Sequence, residues 1–262
     1  MSTKYTLKNY INTFKVQGNF YTLKLPKDKE DIEFYCRNLL TIKRLEKEIN
    51  KVDGVFIMMN PGGSTLVNKK SDPLYVKNNN LNIKEFKLPS YSPLDIKNKG
   101  IELKLCDAIP DKVQCYVMEI MDILNWNLVY CINLSDLRNA SSSDFKKEVR
   151  DFKNLSNSLG SEFSNIHSIF CESRALIREN HEDKTYYLDK LLTSLNLPII
   201  CAFGVSNPKS LTLKAVEFFK ENNIKPIGKI KDNDLNKFFY LKPLGGKDIV
   251  DDIVNIYKST FK

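Results

Sequence analysis

A chain of 262 residues, 42% hydrophobic and 27% charged, has the length for one substantial core and the composition of an ordinary globular protein. Forty Lys and Arg against 32 Asp and Glu give a net charge of +8, a field that favours polyanions and makes nucleic acid the natural partner. Six scattered cysteines without a close C-x-x-C pair, and only two histidines, argue against a metal centre; no apolar run is long enough to span a membrane and Met1–Tyr5 lacks a signal-peptide core, so a cytoplasmic monomer is expected.

The segment Gly18–Leu25 reads as part of an N-terminal hairpin. Asp31 is placed to cap a helix running to about Lys51, with Ile32, Tyr35, Leu39, Ile42, Leu45 and Ile49 on one face. Five apolar residues, Val55–Met59, then predict a strand buried on both sides, broken by the turn Asn60-Pro61-Gly62-Gly63-Ser64-Thr65. A polar, lysine-bearing loop follows to about Gly100, carrying Lys69, Lys70 and Asp72-Pro73. Asp111 to Asn125 reads as a helix and Trp126–Ile132 as a second buried strand, ending in Asn133-Leu134-Ser135-Asp136-Leu137-Arg138-Asn139. Ser141–Ser143 predict the cap of a charged helix from about Asp144 to Asn154.

Ile166–Cys171 is a third strand candidate, with His167 expected as a packing residue. A helix over Glu182–Asn196, a strand over Pro198–Gly204 and a helix over Leu211–Asn222 come next. Short strands at Ile227–Ile230 and Phe238–Leu241 lead to Lys242-Pro243-Leu244-Gly245-Gly246-Lys247 and a final helix from about Asp248 to Thr260. Alternating strands and helices predict an α/β fold with a mostly parallel sheet covered on both faces.

In such sheets ligands sit beyond the carboxyl ends of the strands. The turn after Val55–Met59 therefore carries two readings. It is an ordinary strand-end turn, or it is a binding mouth where paired glycines let backbone approach a substrate and Asn60 both donates and accepts. The lysines that follow suit phosphate contacts or, equally, a solvated insertion.

Val55–Gly62, with Asn60-Pro61-Gly62 after the strand, resembles the first motif of the uracil-DNA glycosylase superfamily. Lys242-Pro243-Leu244-Gly245 is similar to its late motif, and Asn133 stands where the superfamily places a base-reading Asn. The chain also resembles an uncharacterised bacterial branch of that fold. The corresponding residues are Asn60-Pro61, Asp72-Pro73, Asn133-Leu134 with Leu137-Arg138, Phe203-Gly204 and Pro243-Leu244. The sequence departs from the superfamily in having Lys242 where the late motif carries His, and in the long insertion between Gly62 and Ile101.

The resemblance implies a three-layer α/β/α sandwich over residues 1–262, with a loop insertion at about 66–100. It implies a DNA glycosylase that needs no metal or other cofactor and hydrolyses the N-glycosidic bond of a flipped, modified or damaged pyrimidine. Glucosylated hydroxymethylcytosine of phage DNA, removed in antiviral defence, is the bulky target the long loop suggests. A non-catalytic nucleic-acid-binding protein on the same fold, and a hydrolase of free nucleosides or nucleotides, are the rival readings.

Glycosidic cleavage builds positive charge on the sugar and negative charge on the departing base. Asn60 is expected to hold the attacking water, with Asp72 or Asp136 supplying negative charge near the sugar. Pro61, Gly62, Gly63 and Ser64 would line the substrate. Asn133 would read the base edge, and Arg138 or Lys242 would stabilise the leaving base or a flanking phosphate. Leu244 is expected to wedge into the vacated stack, on a DNA-binding rim of Lys69, Lys70, Pro243, Gly245, Gly246 and Lys247.

Overall fold

A computed structural model of the protein describes residues 5–27, 30–49, 51–67, 74–76, 105–157, 166–170, 192, 197–241 and 249–261. Its longest strands are β1 (Phe14–Lys27) and β2 (Glu30–Arg44), an antiparallel hairpin in register from Phe14↔Arg44 to Lys27↔Glu30. The helix expected from Asp31 is thus a strand over most of its length. The register shifts beside Asn19 and Phe20, leaving Asn38 as an extra residue on β2. Alternation at Ile32, Phe34 and Cys36 is thereby reset before Leu40 and Ile42, and the reset imitates a helical period.

The remaining strands are β3 (Gly54–Met58), β4 (Thr65–Leu66), β5 (Leu74–Val76), β6 (Leu105–Ile109), β7 (Leu128–Asn133) and β8 (Ile199–Cys201). Together with the hairpin they form one sheet in the order β4-β6-β1-β2-β7-β3-β8, with β5 paired to β1. The expected α/β class holds, but the sheet is mixed. Its β7-β3-β8 part is parallel, as are β1 and β5, whereas β4-β6-β1-β2-β7 is antiparallel throughout. Two further strands, β9 (Ile230–Lys231) and β10 (Asp234–Phe238), pair separately. The second of them ends where the sequence reading began its strand.

Helices α1 (Lys112–Leu124), α2 (Ser142–Asn157), α3 (Lys209–Glu221) and α4 (Ile249–Phe261) cover both faces of the sheet. On one face Phe145 and Phe152 of α2 and Ala215 and Phe219 of α3 pack with Val55, Ile57, Tyr130 and Ile132. On the other, Val117 and Met121 of α1 and Ile253 of α4 pack with Phe56, Met58, Val129 and Cys131. Strand β3 is buried along its whole length because both cores claim it in alternation. Each side chain of this size buried from water contributes about 1.5–3 kcal/mol.

Residues 166–170 form turns rather than the expected strand. Ile166 and Ile169 are buried at a spacing of three, and the carbonyl of His167 accepts from the amide of Asp136. The helix expected over Glu182–Asn196 lies, save for Leu192, outside the described residues. Among the described residues no helix is long and apolar enough to cross a membrane.

Candidate binding site at the carboxyl ends of β3 and β7

The parallel pair β3–β7 sets the geometry. Met58 and Asn133 are register partners, and pairing continues past the strands through Leu134 N to Met58 O (2.8 Å) and Ser135 N to Met59 O (3.1 Å). Asn60 and Asn133 are thereby held at the same edge of the sheet, Asn60 two residues beyond the register partner of Asn133. The Nδ2 of Asn60 donates to the carbonyl of Asn139 at 2.6 Å, so the two loops are tied across the opening. With one Nδ2 hydrogen engaged, Oδ1 and the second N–H of the Asn60 amide are left for a ligand or a water.

Next to them Gly62 adopts φ +61, and a Cβ there would lie 2.6 Å from Asp111 Oδ2. Only glycine meets both demands. Asp111 is the N-cap of α1: its Oδ1 accepts from Val113 N and Gln114 N, and the Gln114 side chain returns a bond to the Asp111 amide. Ser64 is fully buried, and its carbonyl receives Arg138 Nη2 at 2.7 Å. The Arg138 guanidinium lies 4.9 Å over the Phe20 ring, and burial lowers its pKa.

Several buried polar atoms here have no hydrogen-bond partner: both side-chain atoms of Asn133, Oγ of Ser64, Nε of Arg138, and Nε, Nη1 and Nη2 of Arg37. Asn133 and Arg37 are each 0% exposed. Desolvation pulls the Arg37 pKa down to about 10, opposed first by the field of Asp111, so the guanidinium stays charged at neutral pH. Tyr240 closes the β8 side. A Cβ on Gly204 would meet its ring at 2.5 Å, and burial, then Asp111, raises its phenol.

Asp136 is at the same edge but turned inward. Its carboxylate takes the hydroxyl of Tyr21, a residue of the core on the α2 and α3 side. The neighbouring Ser135 Oγ meets His167 Nδ1 at 2.8 Å, so this stretch is braced from behind.

The sheet edge therefore brings together Asn60, Pro61, Gly62, Gly63, Ser64, Asn133 and Arg138. Lys69, Lys70, Asp72, Lys242, Pro243, Leu244, Gly245, Gly246 and Lys247 lie outside the described residues. Sequence reasoning missed Arg37, Asp111 as a neighbour of Gly62, Asn139 and Tyr240. Arg37 was hidden because the segment containing it looked helical, with its basic residues in water. Asp111 did carry a signal, since Asp followed three residues later by Gln is the pattern of a capping box. Comparison of the chain with protein-family models, with characterised proteins and with solved structures finds no match.

Proposed function

We propose that the protein is a DNA glycosylase of the uracil-DNA glycosylase type, built on a three-layer α/β/α sandwich, which releases a modified or damaged pyrimidine from a flipped nucleotide. The observation that carries this reading is the Asn133 amide. It is fully buried at the same sheet edge as Asn60, with neither its donor nor its acceptor satisfied by protein. A buried primary amide left in that state is costly, and a pyrimidine edge offers the complementary acceptor and donor. Asn60, fixed through Nδ2, presents Oδ1 to a water on the sugar side. The net charge of +8 supplies the attraction for the DNA strand. Within this reading Asp136 positions the Asn133–Asn139 loop, and the carboxylate proposed for the sugar is that of Asp72, which lies outside the described residues. Glucosylated hydroxymethylcytosine is the bulky base we propose as target, in defence against phage.

The test is a panel of oligonucleotides containing uracil, mismatched bases, hydroxymethylcytosine and its glucosylated form, scored for abasic sites. Release from at least one, abolished by Asn60→Ala and by Asn133→Ala, is the expected result. A blank panel with wild-type protein ends the proposal.

One observation favours a second reading, a non-catalytic nucleic-acid-binding protein. Both carboxylates described at this edge have structural partners, Asp111 in the α1 cap and Asp136 on Tyr21. DNA binding that weakens steeply with salt, without base release, is its signature.

A further inference from the structure

Among the described residues Arg37 is the largest fully buried side chain, and all three of its nitrogens lack a hydrogen-bond partner. A guanidinium carries five N–H donors and no acceptor, so satisfying it requires acceptors brought from elsewhere. The bridge Cys36↔Leu137 turns those two residues into the core on the α2 and α3 side. It leaves Arg37 and Arg138 on the other face, where Arg138 covers the ring of Phe20, the register partner of Arg37. Each cation thus lies in reach of the other's field: burial first, and then Arg138, lowers the pKa of Arg37.

The acidic groups in the field of Arg37 are Asp111 and Asp136, of which the first caps α1 and the second takes the Tyr21 hydroxyl. Neither is hydrogen-bonded to Arg37. Asn133 Nδ2, Ser64 Oγ and Arg138 Nε add further donors without acceptors at the same sheet edge. Arg138 is only partly buried, so the cluster reaches the surface there.

We propose that Arg37 and Arg138, with Asn133 and Ser64, form a receptor for a tetrahedral oxyanion of the phosphate class. Donors on four separate side chains suit a group whose oxygens diverge in space better than a planar carboxylate, which one fork would saturate. The bound oxyanion would supply the acceptors that Arg37 lacks and cancel the excess of positive charge. A free nucleotide and a phosphodiester of a DNA strand both offer this chemistry. The inference does not depend on glycosidic cleavage.

The experiment is a thermal-shift and calorimetric titration of the full chain with inorganic phosphate, against potassium chloride at equal ionic strength. Stabilisation by phosphate beyond the chloride control is expected, with affinity reduced about tenfold or more in Arg37→Gln and in Arg37→Lys, which keeps a charge but not the fork. A wild-type response no larger than chloride would mean that water alone satisfies the guanidinium, and overturns the proposal. So does an undiminished response in Arg37→Gln. If neither Arg37 variant folds, Arg138→Gln and Asn133→Ala take their place, and unchanged affinity in both is equally fatal. A nucleoside 5′-monophosphate and an oligonucleotide without terminal phosphates, each competed against phosphate, assign the source; if neither competes, the ligand is the free inorganic oxyanion. Base release without phosphate binding would remove this inference and leave the proposed function, and the converse would do the opposite.

Discussion

Asn60 and Asn139, 79 positions apart in the chain, are joined by a 2.6 Å hydrogen bond from a side-chain amide to a main-chain carbonyl. Asn139 in turn donates through its own Nδ2 to Glu148 Oε2 at 3.2 Å and accepts from Ser141 N at 2.9 Å. The mouth of the candidate site is therefore coupled through one residue to the first turns of α2. A disturbance at Asn139 reaches Asn60 without touching a ligand.

Asn60→Ala is expected to separate activity from stability. Losing one partly buried hydrogen bond costs about 1 kcal/mol. If the proposed function holds, losing the group proposed to place the water should slow base release by about 100-fold or more. Chemical denaturation and single-turnover base release on the same preparation check both. A loss of activity matched by a collapse of stability would show that the amide only holds the loops together.

Gly62→Ala should destabilise the protein by about 2 kcal/mol. Left-handed backbone costs a non-glycine residue about 1–2 kcal/mol, and the new Cβ pushes on the Asp111 carboxylate, whose capping bonds are worth about 1 kcal/mol. In an Asp111→Ala background the same substitution should cost only the backbone part. A double-mutant cycle with no coupling between the two positions contradicts the contact.

Tyr21→Phe removes the donor facing the buried Asp136 carboxylate. A cost of about 1–3 kcal/mol is expected, because a buried carboxyl group loses a hydrogen bond. Asp136→Asn keeps an acceptor for Tyr21 and, under the proposed function, should preserve base release. Abolished release in a stable Asp136→Asn protein would return Asp136 to the chemistry.

The parallel half of the fold was legible because its strands are buried on both faces and read as unbroken apolar runs. Val55–Met59 and Trp126–Ile132 correspond to β3 and β7, and Asn60 and Asn133 sit at their ends as their positions imply. Helix α1 was legible from its apolar period. The hairpin strand β2 was not, because one bulge residue broke its alternation and a long partner strand, invisible to local pattern, decided its conformation. With β2 misread, Arg37 could not be placed beside Arg138, and the most buried charge of the site went unseen.

Thiol reactivity should be confined. Burial pushes Cys115 up to about 11 and Cys131 up to about 12, and raises Cys201 well above its ordinary value. Cys36 is also buried, whereas Cys106 is partly exposed. Iodoacetamide at neutral pH, read by peptide mass spectrometry, should label Cys106 first among the five described cysteines. Labelling of Cys131 at a comparable rate in folded protein would contradict the packing of β7.

Glu148 gives the fold a small dependence on pH of definite sign. Burial raises its pKa, the Asn139 amide lowers it by a lesser amount, and Asp151 raises it further. A carboxyl whose pKa is higher folded than unfolded binds its proton more tightly in the native state. Its stabilising contribution is complete below the unfolded value and disappears as pH rises through the folded one. Ionised Glu148 is thus a penalty at neutral pH. Glu148→Gln should raise the melting temperature at pH 7 while leaving it unchanged near pH 4, because glutamine keeps an oxygen for Asn139 and never ionises. Melting curves across that interval check the sign. If the difference between variant and wild type shrinks as pH rises, the carboxylate is favoured in the folded state, and the link from α2 to Asn60 is held by charge rather than by a neutral hydrogen bond.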